Sequence, residues 1–140
     1  MKTIVLISCV SKKKNYETTA ENLYDSSLFK YSLSYAKKLN PDRIYILSAL
    51  YGLLELTDVI KPYNKTLNKM SKNERIKWSE IVLEQMKSKG VDFENDRFII
   101  LAGNKYRENL IKHFKNYEIP LEGMKIGEQL SYLKGVLEDE

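Results

Sequence analysis

Three apolar runs constrain this chain more than any other feature: residues 3–10 (TIVLISCV), 43–50 (RIYILSAL) and 97–103 (RFIILAG). Each is nearly continuous in Ile, Val and Leu. A strand with one wet face alternates apolar and polar residues, whereas a strand covered on both faces does not. The runs therefore read as inner strands of a parallel sheet. A weaker fourth strand is expected at 117–121 (YEIPL). Its Pro120 lacks the N–H that a central strand must donate, so it belongs at an edge or a strand end.

Helical patterns fill the gaps. In 25–39, Leu28, Tyr31, Tyr35 and Leu39 share a face, with Asp25 or Ser26 as cap. Ser71 and Glu74 have capping-box spacing and open a helix to about Lys89, which Gly90 ends. A short helix over 105–114 turns Tyr106, Leu110 and Phe114 inward. Ile126, Leu130, Leu133 and Leu137 form a stripe on the last helix. The order β-α-β-loop-α-β-α-β-α predicts an α/β fold. Specifically, it predicts a three-layer α/β/α sandwich around a mostly parallel four-stranded sheet. An α+β sheet with an antiparallel edge is the structural alternative. With 140 residues, one domain spanning 1–140 is expected.

Composition narrows the function classes. The single cysteine, Cys9, excludes an internal disulfide and fits a reducing compartment. One Cys and one His make a structural zinc site improbable, and no metal or cofactor is expected. No segment approaches ~18 apolar residues, so a cytoplasmic protein without membrane contact is expected. A net charge of +4 and a pI of about 9.0 suit an anionic ligand or nucleic acid.

In open α/β sheets, ligands bind beyond the carboxyl ends of the strands. Four segments are expected there, and most of the chain's unusual residues fall in them. In residues 8–14, Ser8 and Cys9 end a strand and Lys12, Lys13 and Lys14 follow, a pairing suited to phosphate or carboxylate. No Walker glycine pattern accompanies them. The plainer alternative is a solvated lysine loop and a small buried thiol.

The second segment, 48–67, reads as a long polar and aromatic loop. Ser48, Ala49 and Gly52 leave room, and Tyr51 and Tyr63 offer rings to stack on a planar base. Lys61 and Lys65 could hold phosphate, and Asp58 or Glu55 could accept from ring N–H or ribose hydroxyls. The third, 103–106, places Gly103 and Asn104 at a strand-to-helix junction, with Lys105 and Arg107 adding charge; an ordinary turn with Asn104 as N-cap is the competing view. The fourth, 122–127, brings Glu122, a carboxylate able to stabilise positive charge on a sugar.

The segments SCVSKK, LYDSSLF (23–29), LSALYGLLE (47–55), KPYNKTL (61–67) and PLEG…GEQLSYL (120–133) together resemble an uncharacterised family of small bacterial, archaeal and phage domains. Its members show Ser-Cys-x-x-x-Lys and Ser-Ala-x-Tyr-Gly-Leu motifs, and the family is distantly similar to the YaaA peroxide-stress proteins. The likeness covers roughly residues 4–137. It implies an α/β domain with kinship to base-handling enzymes of the uracil-glycosylase and tRNA-transglycosylase neighbourhood. The family motifs map onto Ser8, Cys9, Lys12, Tyr24, Ser26, Ser48, Tyr51, Gly52, Pro62, Tyr63 and Glu122. The YaaA proteins are linked with DNA binding and oxidative stress. No helix-hairpin-helix insertion is visible here, so that mode of DNA contact does not carry over.

The expectation is a nucleotide, nucleoside or nucleobase site, extending to glycosylase- or transglycosylase-like work on an N-glycosidic bond. Glu122 and Asp58 would be the catalytic carboxylates. Ser8, Cys9, Lys12, Ser48, Tyr51, Gly52, Lys61, Tyr63 and Asn104 would bind the ligand. The alternatives are a domain that sequesters such a ligand unchanged, and a nucleic-acid-binding protein of stress or phage-defence context that uses its lysine loops.

Overall fold

The computed structural model describes residues 1–138; the last two positions of the expected 1–140 domain lie outside the described residues. In chain order the elements are β1 (Thr3–Ser8), β2 (Thr18–Thr19), α1 (Ala20–Leu23), α2 (Ser27–Lys38), β3 (Arg43–Ser48), β4 (Gly52–Glu55) and β5 (Val59–Ile60). There follow α3 (Lys72–Ser88), β6 (Arg97–Leu101), α4 (Asn104–Arg107), β7 (Asn116–Glu118) and α5 (Ile126–Glu138). The protein is α/β, built on a mostly parallel sheet of order β4-β3-β1-β6-β7.

The three apolar runs are its inner strands. Val5 of β1 sits between Ile44 of β3 and Ile99 of β6, both pairings parallel. Residues 4–7 are almost wholly excluded from solvent, which explains why they do not alternate. β7 joins β6 in parallel at the edge and stops two residues before Pro120, as that proline requires.

The sheet has five strands, not four. The additional one is β4, which pairs antiparallel with β3 from Ser48↔Gly52 to Tyr45↔Glu55. Much of the stretch expected as an unstructured loop is therefore a hairpin. Gly52 makes the tight return at φ +76°, a left-handed conformation that glycine adopts without steric cost. A small second sheet pairs β2 with β5.

The helices follow their caps closely. Ser26 accepts from the Phe29 N–H at the start of α2. Ser71 and Glu74 form the full capping box of α3, and Gly90 lies just past its end at φ +78°. Two inward faces differ from expectation. On α2 the buried residues are Phe29, Ser32 and Ala36, while Leu39 is exposed. The smaller Ser and Ala allow close approach of the helix to the sheet. On α5 Leu133 alone of the stripe is fully buried, and Ile126 is 65% exposed. Residues 105–114 form a single α-turn, α4, and a 3-10 turn instead of one helix, although Tyr106, Leu110 and Phe114 are buried as expected.

Among the described residues, no helix is long and apolar enough to cross a membrane. α2 packs on β1 and α5, and α3 packs on β4 and α4.

Candidate functional site at the carboxyl edge

A cavity of about 460 Å³ opens at the carboxyl ends of β1 and β6. Its apolar wall comes from Ile7, Val10, Leu28, Phe29, Ile100 and Leu121. Ile126, at the start of α5, lines it while largely exposed, so it forms an apolar lip. Polar groups are few: Ser8, Ser32, Asn104, Arg107 and Gln129 among them, with no Asp or Glu in the lining.

Arg107 is held in place. Its Nη1 donates to the carbonyl of Ala102, at the end of β6, across 2.8 Å. Its Nη2 lies 4.0 Å from Glu122 Oε2. Glu122 itself is 66% exposed at the side chain, beside Leu121 of the wall. Gln129 Nε2 donates to the Met124 carbonyl, which fixes the amide against the loop before α5.

Next to the cavity stands a second cluster, joined to it through Cys9 and Tyr106, which line the cavity too. The buried thiol of Cys9 donates to the Tyr106 hydroxyl at 3.4 Å, and that hydroxyl also accepts from the Leu67 N–H. The Ser48 hydroxyl donates to Tyr63, whose phenol pairs with that of Tyr24, both at 2.7 Å. The Lys13 ammonium sits 4.4 Å above the Tyr63 ring. Burial raises the phenol pKa of Tyr24 and Tyr63 well above the usual range. Burial likewise pushes Tyr106 up to about 12. Lys13 is lowered, chiefly by desolvation and partly offset by the charge that Cys9 can carry.

The expected site residues separate into three groups. Ser8, Cys9 and Asn104 line the cavity. Asn104 is the first residue of α4 and not its cap, a position taken by Gly103; its amide donates to Glu108.

Ser48, Tyr51, Gly52 and Tyr63 belong to the neighbouring cluster, where they hold the hairpin together. Tyr51 packs edge-on against Tyr63 and donates to the Lys61 carbonyl. Gly52 lies against Gln85, with no room for a Cβ. The two rings expected to stack on a base pack edge-to-face on each other, with centroids 5.5 Å apart. Lys12 and Lys61 are exposed at the edge of this cluster; the Lys12 carbonyl accepts from the Asp25 N–H.

Asp58 goes elsewhere. Because β4 runs back along β3, the turn after it lies near the amino end of β3, away from the carboxyl edge. There the Asp58 carboxylate accepts from the Glu55 N–H at 2.8 Å and closes the turn.

Phe29, Ser32 and Gln129 were not singled out from the sequence. For Ser32 a signal existed: a serine in the middle of the Phe29/Ser32/Ala36 face, at i, i+3, i+7 spacing, is a polar residue where packing alone favours an apolar one.

A family model described as "Family of unknown function (DUF6884)" matches residues 4–135, nearly the whole chain, and the protein belongs to that family. No curated protein and no solved structure matches it.

Proposed function

We propose that this member of the DUF6884 family binds a small flat ligand of nucleobase, nucleoside or nucleotide class in the carboxyl-edge cavity. The observation that carries the reading is the cavity's make-up. Its volume of about 460 Å³ falls within the range of small-molecule sites, and its walls are apolar with a few convergent polar groups. Val10, Leu28, Ile119 and Ile126 keep accessible apolar surface for a ring, over a floor of buried Ile7, Phe29 and Ile100. Arg107 stands at the wall with N–H groups suited to an anion or a carbonyl.

The same reading takes the sheet as the middle layer of a single α/β/α domain, with α2 and α5 on one side and α3 on the other. A kinship with the YaaA proteins, as the sequence motifs would imply, fits a base-handling role.

A catalytic version of this site would use Glu122. It lies beside the cavity, 4.0 Å from Arg107, whereas Asp58 is engaged in its turn near the amino end of β3. Cleavage of an N-glycosidic bond would call on Glu122 to steady the developing positive charge of the sugar. Isothermal titration with a panel of bases, nucleosides and nucleotides tests the binding. Chromatography of the recovered ligand then separates an enzyme from a protein that returns its ligand unchanged. Absence of binding across the panel overturns the reading.

The neighbouring cluster supports a second reading. Lys13 over Tyr63 brings the two lysine-rich segments, 12–14 and 61–72, side by side. Exposed Lys12, Lys61 and Lys65 would there contact the backbone of a nucleic acid, with an affinity that falls steeply as salt rises.

A further inference from the structure

Resting on the cavity reading above, we propose that its ligand is a nucleoside monophosphate, with the phosphate on Arg107 and the base edge on the hydroxyl of Ser32. Ser32 carries the argument. It is 4% exposed and lines the cavity from α2, and its side chain makes no hydrogen bond to any described residue. Among the described residues no buried side-chain oxygen or nitrogen is left orphaned, so the Ser32 hydroxyl, which has no protein partner, is open to the cavity that it lines. A ligand seated there would exchange the hydration of that hydroxyl for a direct hydrogen bond. A serine hydroxyl both donates and accepts, which suits the mixed donor–acceptor edge of a base. Ser8 lines the same space at the end of β1 and is likewise without a side-chain hydrogen bond.

Arg107 defines the other end. Its bond to the Ala102 carbonyl fixes the guanidinium before any ligand arrives, and its side chain is only 16% exposed. A planar fork held in place loses little freedom on binding a phosphate bidentately. The charge fits a single phosphate group. Lys105 is the other cation of the lining, and its ammonium reaches the Asn68 carbonyl. Triphosphate sites also carry carboxylates that bring a divalent cation, and this lining has none. Glu122, 4.0 Å from the guanidinium, neutralises part of its charge and would be displaced by the phosphate.

The experiment is calorimetric titration of the full chain with adenosine and uridine 5′-monophosphates, their parent nucleosides and inorganic phosphate. The expected result is a preference for monophosphate over nucleoside of about tenfold or more, from the charge-assisted bonds. Arg107→Gln should abolish that preference, weakening monophosphate binding more than nucleoside binding. Ser32→Ala should weaken nucleoside and monophosphate alike, by about three- to tenfold. Glu122→Gln, at an exposed position, should tighten monophosphate binding more than nucleoside binding. Equal affinity for nucleosides and monophosphates in the unsubstituted protein overturns this assignment while the cavity reading stands. So does a preference that survives Arg107→Gln, or a Ser32→Ala variant that binds as before. If no compound of the set binds, the cavity reading falls with it.

Discussion

The hydroxyl of Ser48 donates to the phenol of Tyr63 across 2.7 Å, where the end of β3 meets the chain returning from β5. The same Ser48 oxygen accepts from the N–H groups of Leu50 and Tyr51, and Ser48 is wholly buried. One hydroxyl thus closes the hairpin turn and fastens the loop beyond it. Removing it in Ser48→Ala strands two backbone donors and leaves the Tyr63 phenol with Tyr24 as its one remaining hydroxyl partner. The expected destabilisation is about 2–3 kcal/mol. Tyr63→Phe keeps the ring packing and breaks bonds only to Ser48 and Tyr24, and should cost about 1 kcal/mol. Urea unfolding of both variants checks the order; equal losses would mean that the turn does not depend on Ser48.

Gly52 is the second fastening of the hairpin. A Cβ placed there would lie 2.3 Å from Gln85 Oε1, and the backbone is in the left-handed region. Gln85 is not free to yield, since its Oε1 accepts from the Leu53 N–H and its Nε2 donates to the Tyr51 carbonyl. Gly52→Ala should therefore destabilise by about 2 kcal/mol or more, strain and clash together. In a double-mutant cycle, Gly52→Ala with Gln85→Ala should cost less than the sum of the single losses, because the clash disappears with the amide. Strict additivity would refute the close contact.

These two fastenings also show which parts of the fold could be read in the sequence. The inner strands were legible because burial on both faces leaves a composition signal in residues 3–8, 43–48 and 97–101. The caps at Ser26, Ser71 and Gly90 were legible because capping is a local event. β4 was not, since four residues after a glycine turn carry no period, and its antiparallel return depends on Gln85, 33 positions later. That return takes Asp58 to the far edge. A cavity lies at the carboxyl edge, and Ser8, Cys9 and Asn104 are among the residues that line it. Ser32 and Gln129 escaped because they face it from two helices more than ninety positions apart in the chain, packed together only in the fold.

Three phenols around Cys9 predict an alkaline limit to stability. Burial raises Tyr24, Tyr63 and Tyr106 above the usual value of 10.0, Tyr106 to about 12. Below pH 10 each phenol is protonated in both the folded and the unfolded chain, so the folded state keeps its full advantage. Between pH 10 and 12 the unfolded chain gives up these protons and the folded chain retains them. Stability then falls by about 1.4 kcal/mol per pH unit for each phenol. Lys13 works in the opposite direction: its lowered pKa adds stability as pH rises toward 10.5. Melting temperatures from pH 9 to 12 should therefore drop most steeply above pH 10. Tyr106→Phe should make the decline shallower, and an unchanged slope would count against the burial of that phenol as its cause.

Cys9 offers a readout of the cavity that needs no knowledge of the reaction. Its thiol is 7% exposed, lines the cavity and is engaged with Tyr106 at 3.4 Å. An alkylating reagent must enter through the cavity to reach it, so labelling should be slow in the native protein and fast in urea. A ligand seated against Val10, Leu28 and Ile126 blocks that path. Adenosine or uridine monophosphate at saturating concentration should slow iodoacetamide labelling further, followed by mass spectrometry of the intact chain. Tyr106→Phe, which removes the thiol's hydroxyl partner, should raise the labelling rate without removing the protection by ligand. If labelling is rapid in the native state, the thiol is reached by another route and the cavity wall is not closed at the end of β1.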